Sequence, residues 1–392
     1  MKIAFIANGK LPVPASQGGA VETLIQILIN NNEKNHKHDI TVYTSYDAKS
    51  KEMSKKYKFT KFIFIETNDI EYKIGKVLRY IINRIPRIYI GNKFVNRLEK
   101  KIEFYREEYD YVIVENSPEY GLKLKKYFSQ NLILHLHNDF LNKNKYLSYK
   151  ILNSYKKIFT LSNYINSRVQ EIDTSFKNIY TVYNGIDFEK FNRECNIDEL
   201  RKKYNINEED FVFLYTGRIV PEKGVKELIL AFNKISNSNK LKLLIVGDIS
   251  CKNNKNKKYI NEIKNIAKLH SHNIIFAGYV DYENIQKYYY LANVGVIPSI
   301  WEEPFALTVI ENLASGNPVI VSKSGGMPEI VNDKCAIIVN KDENYIDNLA
   351  KELVNIIEMA RNDEVCNLAR KQAEKFNSEK YVLKFNECLE KV

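Results

Sequence analysis

Short apolar runs rich in β-branched residues alternate along this chain with stretches whose apolar positions recur every three or four residues. The first pattern predicts buried strands and the second amphipathic helices. Strands are expected in the first half at Lys2–Ala7, Ile40–Thr44, Phe62–Glu66, Tyr111–Glu115, Leu132–His137, Lys157–Ser162 and Ile179–Tyr183. In the second half they are expected at Phe211–Thr216, Leu241–Val246, Ile274–Ala277, Gly295–Pro298, Pro318–Val321 and Ala336–Val339. Several of these runs are apolar on both faces, as a parallel sheet covered by helices on each side requires. Residues after Glu343 read as helices, the last over Ser378–Leu389. No internal repeat or low-complexity tract interrupts the alternation.

A chain of 392 residues exceeds one ordinary core, and two domains of about 180 residues each fit it better. The turn Tyr183-Asn184-Gly185-Ile186-Asp187 closes the first, and the strand at Phe211 opens the second. Hydrophobic content of 44% and charged content of 27% are those of a folded globular protein. No run approaches the roughly 20 apolar residues of a membrane-spanning helix, and Met1–Ala7 reads as a strand rather than a secretory signal. Five cysteines without a C-x-x-C pair argue against a disulfide framework or zinc ribbon and suit a reducing cytoplasm.

Charge adds one feature. The net charge is +11, and between Lys49 and Lys101 fifteen Lys or Arg face five acids. At its centre Ile74, Val77, Leu78, Ile81, Ile82 and Ile85 form a helical stripe ringed by Lys73, Lys76, Arg79, Arg84 and Arg87. Such a helix can lie on an anionic membrane, at about 1 kcal/mol per basic side chain. It can equally face a core with its basic side solvated. No recognisable nucleic-acid-binding motif accompanies the patch.

Candidate chemistry concentrates between Ile300 and Ile330. Glu303 and Glu311 flank an expected helix start with Pro304 at its first position. The amides of Phe305, Ala306 and Leu307 would then form an anion site at the positive end of the helix. Phosphate donors between two hydroxyl acceptors match a nucleotide sugar. A second cluster, Thr216-Gly217-Arg218-Ile219-Val220-Pro221-Glu222-Lys223-Gly224, sets two cations around a turn whose glycines let backbone approach a ligand. Gly18-Gly19 opens a helix after the first strand, and Ser324-Gly325-Gly326-Met327-Pro328-Glu329 follows a later one. The six histidines form three His-x-His pairs. Only His135/His137 ends a strand near a carboxylate, Asp139, with both rings on one face as a metal site would need. His36/His38 and His270/His272 are expected on the surface, and Trp301 is expected as a packed aromatic.

Glu303-Pro304-Phe305 followed by Glu311 resembles the E-x7-E motif of the family 4 retaining glycosyltransferases (glycosyl transferases group 1). Gly18-Gly19, His137, Asn184-Gly185, Arg218/Lys223 and Pro298-Ser299 fall in that family's order over nearly the full length. Ala306 stands where the family usually has glycine and narrows the approach to the sugar. The resemblance implies an α/β GT-B fold: two Rossmann-like domains with parallel sheets facing a central cleft, and a C-terminal helix crossing back to the N-terminal domain. The expected boundaries are 1–187 for acceptor binding, 188–365 for nucleotide-sugar binding, and 366–392 packing back through Tyr381, Phe385 and Leu389. It implies catalytic roles for His137, Arg218, Lys223 and Glu303. Gly18, Gly19, Gly217, Phe305, Ala306, Leu307 and Glu311 would bind the donor.

With no Asp-x-Asp motif, neither a metal nor a cofactor is expected, and Arg218 and Lys223 would clamp the diphosphate instead. The expected activity is metal-independent retaining transfer of a hexose-type sugar to a glycan or lipid-linked acceptor in cell-surface polysaccharide synthesis. The implied setting is the cytoplasm, with the basic 49–101 segment on the inner face of the plasma membrane. A non-catalytic sugar- or nucleotide-binding scaffold of the same fold is the alternative.

Overall fold

The computed structural model describes residues 1–67, 89–105, 107–192, 194–235, 240–249, 257–270 and 272–391. The centre of the basic stretch, including Ile74–Ile85, lies outside the described residues.

The chain divides into two units, Met1–Tyr183 with Tyr381–Val392, and Asn184–Lys380. In the first, β1 (Lys2–Ile6), β2 (Asp39–Ser45), β3 (Thr60–Ile65), β4 (Tyr111–Glu115), β5 (Leu132–Leu136), β6 (Lys157–Thr160) and β7 (Ile179–Thr181) form one sheet. Its order is β3-β2-β1-β4-β5-β6-β7, and every pairing is parallel. Helix Ala20–Asn35 buries Leu24, Ile25, Leu28 and Ile29 against it, a stripe at helical spacing.

The second unit repeats the plan. β8 (Phe211–Thr216), β9 (Leu241–Val246), β10 (Ile274–Gly278), β11 (Val294–Ile297), β12 (Val319–Ser322) and β13 (Ala336–Val339) run parallel in the order β10-β9-β8-β11-β12-β13. Helices Val225–Ile235 and Tyr345–Ala360 close one face through Leu228, Phe232, Leu349 and Leu353. Both units are therefore Rossmann-like, as expected. In each, strand order reverses beside the first strand, between β1 and β4 and between β8 and β11. Loops leaving the carboxyl ends there diverge and leave a crevice for ligands.

The last helix, Ser378–Glu390, delivers Tyr381, Val382, Phe385 and Leu389 into the first unit's core. Phe385 lies 6.0 Å from Phe5 and edge-on to Phe159 at 5.5 Å. The buried Lys157 ammonium donates to the carbonyls of Leu389 at 2.8 Å and Cys388 at 3.4 Å, and to that of Lys391. A cation at a helix C-terminus satisfies carbonyls that lack a helical partner. The boundary expected at residue 366 is corrected. Helix Asp363–Ala373 packs on helix Leu307–Ala314 within the second unit, and only Tyr381 onward returns to the first.

Candidate active site

A polar cluster in the second unit gathers at the carboxyl ends of β8, β11 and β12. β8 delivers Gly217 and Arg218. A single 3-10 turn, Pro221–Lys223, then places Lys223 before Gly224, whose φ of +70° suits glycine. Beyond β11 the chain passes Pro298 and Ser299 to a buried Glu303.

Lys223 Nζ donates to both Glu303 oxygens at 2.7 Å. Oε2 also accepts from Trp301 Nε1 at 2.6 Å and Ser299 Oγ at 3.2 Å. The ammonium also sits 5.6 Å from the centre of the Trp301 ring, within cation–π range. Backbone contacts fix the same residue: Glu303 N donates to Ser324 Oγ at 3.0 Å, and Gly326 N donates to Glu303 O at 2.8 Å. A side chain at Gly325 would meet Glu303 O at 2.1 Å, so the Ser324-Gly325-Gly326 loop must carry glycine there. The exposed Glu302 ties the loop down, accepting from Gly325 N at 2.6 Å and pairing with Lys341 at 2.6 Å.

Arg218 behaves differently from Lys223. It is exposed, and among the described residues its guanidinium makes no hydrogen bond or ion pair. Its carbonyl accepts from Tyr215 Oη at 2.7 Å, which fixes the backbone and leaves the side chain to solvent.

The helix carrying Glu311 spans Leu307–Ala314. The expected start at Pro304 is corrected. Ala306 is the N-cap at φ −105°, ψ 103°, so Pro304, Phe305 and Ala306 form a non-helical lead-in. First-turn amides without a helical partner therefore begin at Leu307 and Thr308. Phe305 and Ala306 are buried, and the Phe305 ring packs 5.8 Å from Phe376. Glu311 is buried and accepts from Tyr289 Oη at 2.5 Å, which lies 2.7 Å from Thr216 Oγ1. Burial pushes the Glu311 carboxyl up, opposed by the Tyr289 hydrogen bond, the charge of Lys190 and the Tyr282 hydroxyl. Lys190 itself lies 3.6 Å from the centre of the Tyr282 ring.

In the first unit the expected residues follow the carboxyl ends of β1 and β5. Gly18 and Gly19 take φ of +72° and +104°, and Gly19 caps helix Ala20–Asn35. A side chain on Gly19 would strike Glu22 Oε2 at 2.2 Å, whereas Gly18 has open space. His137 follows β5 directly and is buried, as is His135. The carboxylate beside them is Glu115 at the end of β4, 2.8 Å from His137 Nε2 and 3.3 Å from His135 Nδ1. Asp139, the neighbour expected from sequence, pairs with Arg168 at 3.1 Å. Among the described residues this trio alone gathers three His, Cys, Asp or Glu donor atoms closely enough for a metal, within 4.8 Å of one another. Its contacts are nonetheless hydrogen-bond contacts. A metal-bound histidine nearly always gives its other nitrogen a partner, and His135 Nε2 is buried with no hydrogen-bond partner among the described residues.

Sequence reasoning missed Glu115, Tyr289 and Lys190 as parts of these clusters, and it named the Pro298-Ser299 and Ser324-Gly325-Gly326 motifs without the hydrogen bonds that Ser299 and Ser324 make to Glu303. Two expectations are corrected: His38 is buried, with Nε2 3.4 Å from Asn386 Oδ1, and Trp301 is 38% exposed rather than packed. His36 and His272 are exposed. Among the described residues no helix is long and apolar enough to cross a membrane.

Residues 196–376 match the family described as Glycosyl transferases group 1. Over 357 residues the chain is 25% identical to spore coat protein SA of Bacillus subtilis, covering 88% of this chain and 87% of the relative. Over 184 residues it is 33% identical to the capsular polysaccharide biosynthesis glycosyltransferase CapM of Staphylococcus aureus, covering 46% and 44%. The crystal structure of Anabaena HepE in complex with UDP and glucose superposes with a TM-score of 0.75 over 100% of both chains, at 18% identity. Both units are Rossmann-like, and residues 196–376 of the second are similar to the group 1 glycosyltransferases.

Proposed function

We propose that the protein transfers a hexose-type sugar, with retention and without a metal, from a nucleotide diphosphate sugar to a glycan or lipid-linked acceptor in cell-surface polysaccharide synthesis. The observation that carries this reading is the cluster at the β8 and β11 ends: an exposed Arg218 whose guanidinium has no partner among the described residues, and a Lys223 held on Glu303. HepE, solved with UDP and glucose, and CapM, named for capsular polysaccharide, support the donor and the setting.

Arg218, Lys223 and the Leu307 and Thr308 amides bind the diphosphate, and Glu311 accepts from the ribose hydroxyls. Gly217 lets backbone come close to the phosphates, and Glu303 accepts from a sugar hydroxyl. Glu303 already holds Lys223, so diphosphate binding draws the ammonium toward the phosphates and frees carboxylate lone pairs for the sugar. The acceptor hydroxyl attacks the anomeric carbon from the leaving-group side. Its oxygen bonds to that carbon, the carbon–phosphate oxygen bond breaks, and the hydroxyl proton passes to the departing phosphate oxygen. Arg218 and Lys223 stabilise the charge that grows on the leaving group. The family resemblance sets Gly18 and Gly19 among the donor-binding residues and gives His137 a part in handling the donor sugar. The setting is cytoplasmic, with the basic 49–101 segment against an anionic membrane.

Product analysis tests the reaction. The protein is incubated in EDTA with UDP-, GDP- or dTDP-hexoses and a lipid-linked acceptor, and anomeric NMR is expected to show a product with the donor's configuration. An inverted product would refute retention, and turnover only on adding magnesium would refute metal independence. A folded protein that binds nucleotide and transfers nothing would favour a scaffold, a role that similarity to a protein named for the spore coat would fit.

A further inference from the structure

The Glu115 cluster has a chemistry of its own. Parallel register places Glu115 at the end of β4 opposite His135 on β5. Period-two alternation brings His137 to the same face, and the two imidazoles stand 4.2 Å apart. One buried carboxylate thus faces two buried rings, His137 Nε2 at 2.8 Å from Oε2 and His135 Nδ1 at 3.3 Å from Oε2 and 3.4 Å from Oε1. Carboxylates seldom stay charged in such a place without hydrogen-bond donors. Burial alone would push Glu115 up, but the charges and hydrogen bonds of His135 and His137 outweigh it and hold the carboxyl at about 2.

We infer that Glu115 is the positioning residue of His137: it fixes the ring with Nε2–H directed at the carboxylate and raises the ring's affinity for a second proton. The neighbouring groups agree with Glu115 as the governing charge. Glu22, from helix Ala20–Asn35, also lies buried in the field of His137, but burial pushes its carboxyl up, and Asn8 Nδ2 holds it at 2.8 Å. Tyr381, from the last helix, stacks on His135 with ring centres 6.4 Å apart, and burial keeps its hydroxyl a neutral phenol. The His137 backbone N–H donates to Asn116 Oδ1 at 3.1 Å, so the main chain is held as well as the ring. With Nε2 committed to Glu115, the anion beside it favours the doubly protonated ring. The catalytic consequence rests on the proposed role of His137 in sugar transfer; the ring's tautomer and proton affinity do not.

The test uses the full chain labelled with ring-15N histidine, without substrate. His137 signals are assigned by their loss in His137→Asn. In the wild type the neutral ring is expected as the Nε2–H tautomer, and in Glu115→Gln the titration midpoint falls by about one pH unit or more. The exposed His36 and His272 stay where they were. A wild-type Nδ1–H tautomer, an unmoved midpoint, or a stoichiometric metal ion that resists chelation would overturn the inference. The wild-type tautomer decides the matter alone if Glu115→Gln fails to fold.

In the transfer assay, Glu115→Gln is expected to lower kcat about tenfold or more and displace its pH profile, with donor KM within about threefold. Glu115→Asp should restore part of the loss. An unchanged kcat and pH profile in an active Glu115→Gln would also overturn the role. Absence of transfer by the wild type would instead refute the enzymatic reading and leave the NMR result to decide.

Discussion

Arg218→Ala is expected to cut sugar transfer roughly 10²–10³-fold, about 3–4 kcal/mol of transition-state stabilisation, while leaving Tm unmoved. The two halves of this result have separate causes. The guanidinium is exposed and pairs with nothing among the described residues, so folding loses no interaction. The leaving diphosphate loses a planar, permanently charged donor. Lys223→Ala should behave differently, because it takes from the buried Glu303 a partner at 2.7 Å. Activity falls there too, and stability falls with it. Trp301 and Ser299 still donate to the carboxylate, so that loss should lie below the 3–5 kcal/mol typical of a broken buried pair. Turnover and thermal melts of both variants check the contrast. A loss of less than threefold in Arg218→Ala would remove Arg218 from the reaction.

The second large effect is on folding. Gly224→Ala should destabilise the second unit by about 3 kcal/mol, roughly 6–12 °C in Tm. Gly224 has φ +70°, and a Cβ there would lie 1.9 Å from the Pro298 carbonyl oxygen. Backbone, unlike the end of a flexible side chain, cannot swing aside. Relief must move either the turn carrying Lys223 or the β11 end carrying Ser299, so transfer should fall as well. Gly18→Ala is the control. Its φ is +72° but nothing lies within 4 Å of the added atom, so only the left-handed conformation costs, about 1–2 kcal/mol. Equal losses in the two variants would show that the clash at Pro298 relaxes freely.

All thirteen strands among the described residues were legible in the sequence. Parallel strands covered on both faces read as continuous apolar runs, and the intervening helices separate them cleanly. The docking face of the last helix was legible too, because Tyr381, Phe385 and Leu389 share one stripe. Partner choice was not. Helix Asp363–Ala373 has an apolar stripe that would suit either unit, and only the tertiary structure sets it against Leu307–Ala314. The helix start after Glu303 was misread for a related reason. Proline suits a first helical position, but the helix begins only after Ala306, and Phe305 packs against Phe376, a contact the sequence does not announce.

The candidate site divides in the same way. Motif residues close together in sequence, such as Arg218 with Lys223 or Glu303 with Glu311, could be named in advance. Their supports come from afar: Ser324 reaches Glu303 across twenty-one positions, and Tyr289 reaches Glu311 across twenty-two. Glu115 gave a faint signal, an acid closing the apolar run Val112-Ile113-Val114. Its meaning depends on knowing that β4 lies beside β5.

Binding of the donor nucleotide by the second unit is the central claim, and calorimetric titration tests it most directly. UDP, GDP and dTDP are titrated in EDTA into the wild type and into Glu311→Ala. Micromolar, metal-free binding of one nucleotide is expected, lost in the variant. No binding of any nucleotide by the folded wild type would contradict it.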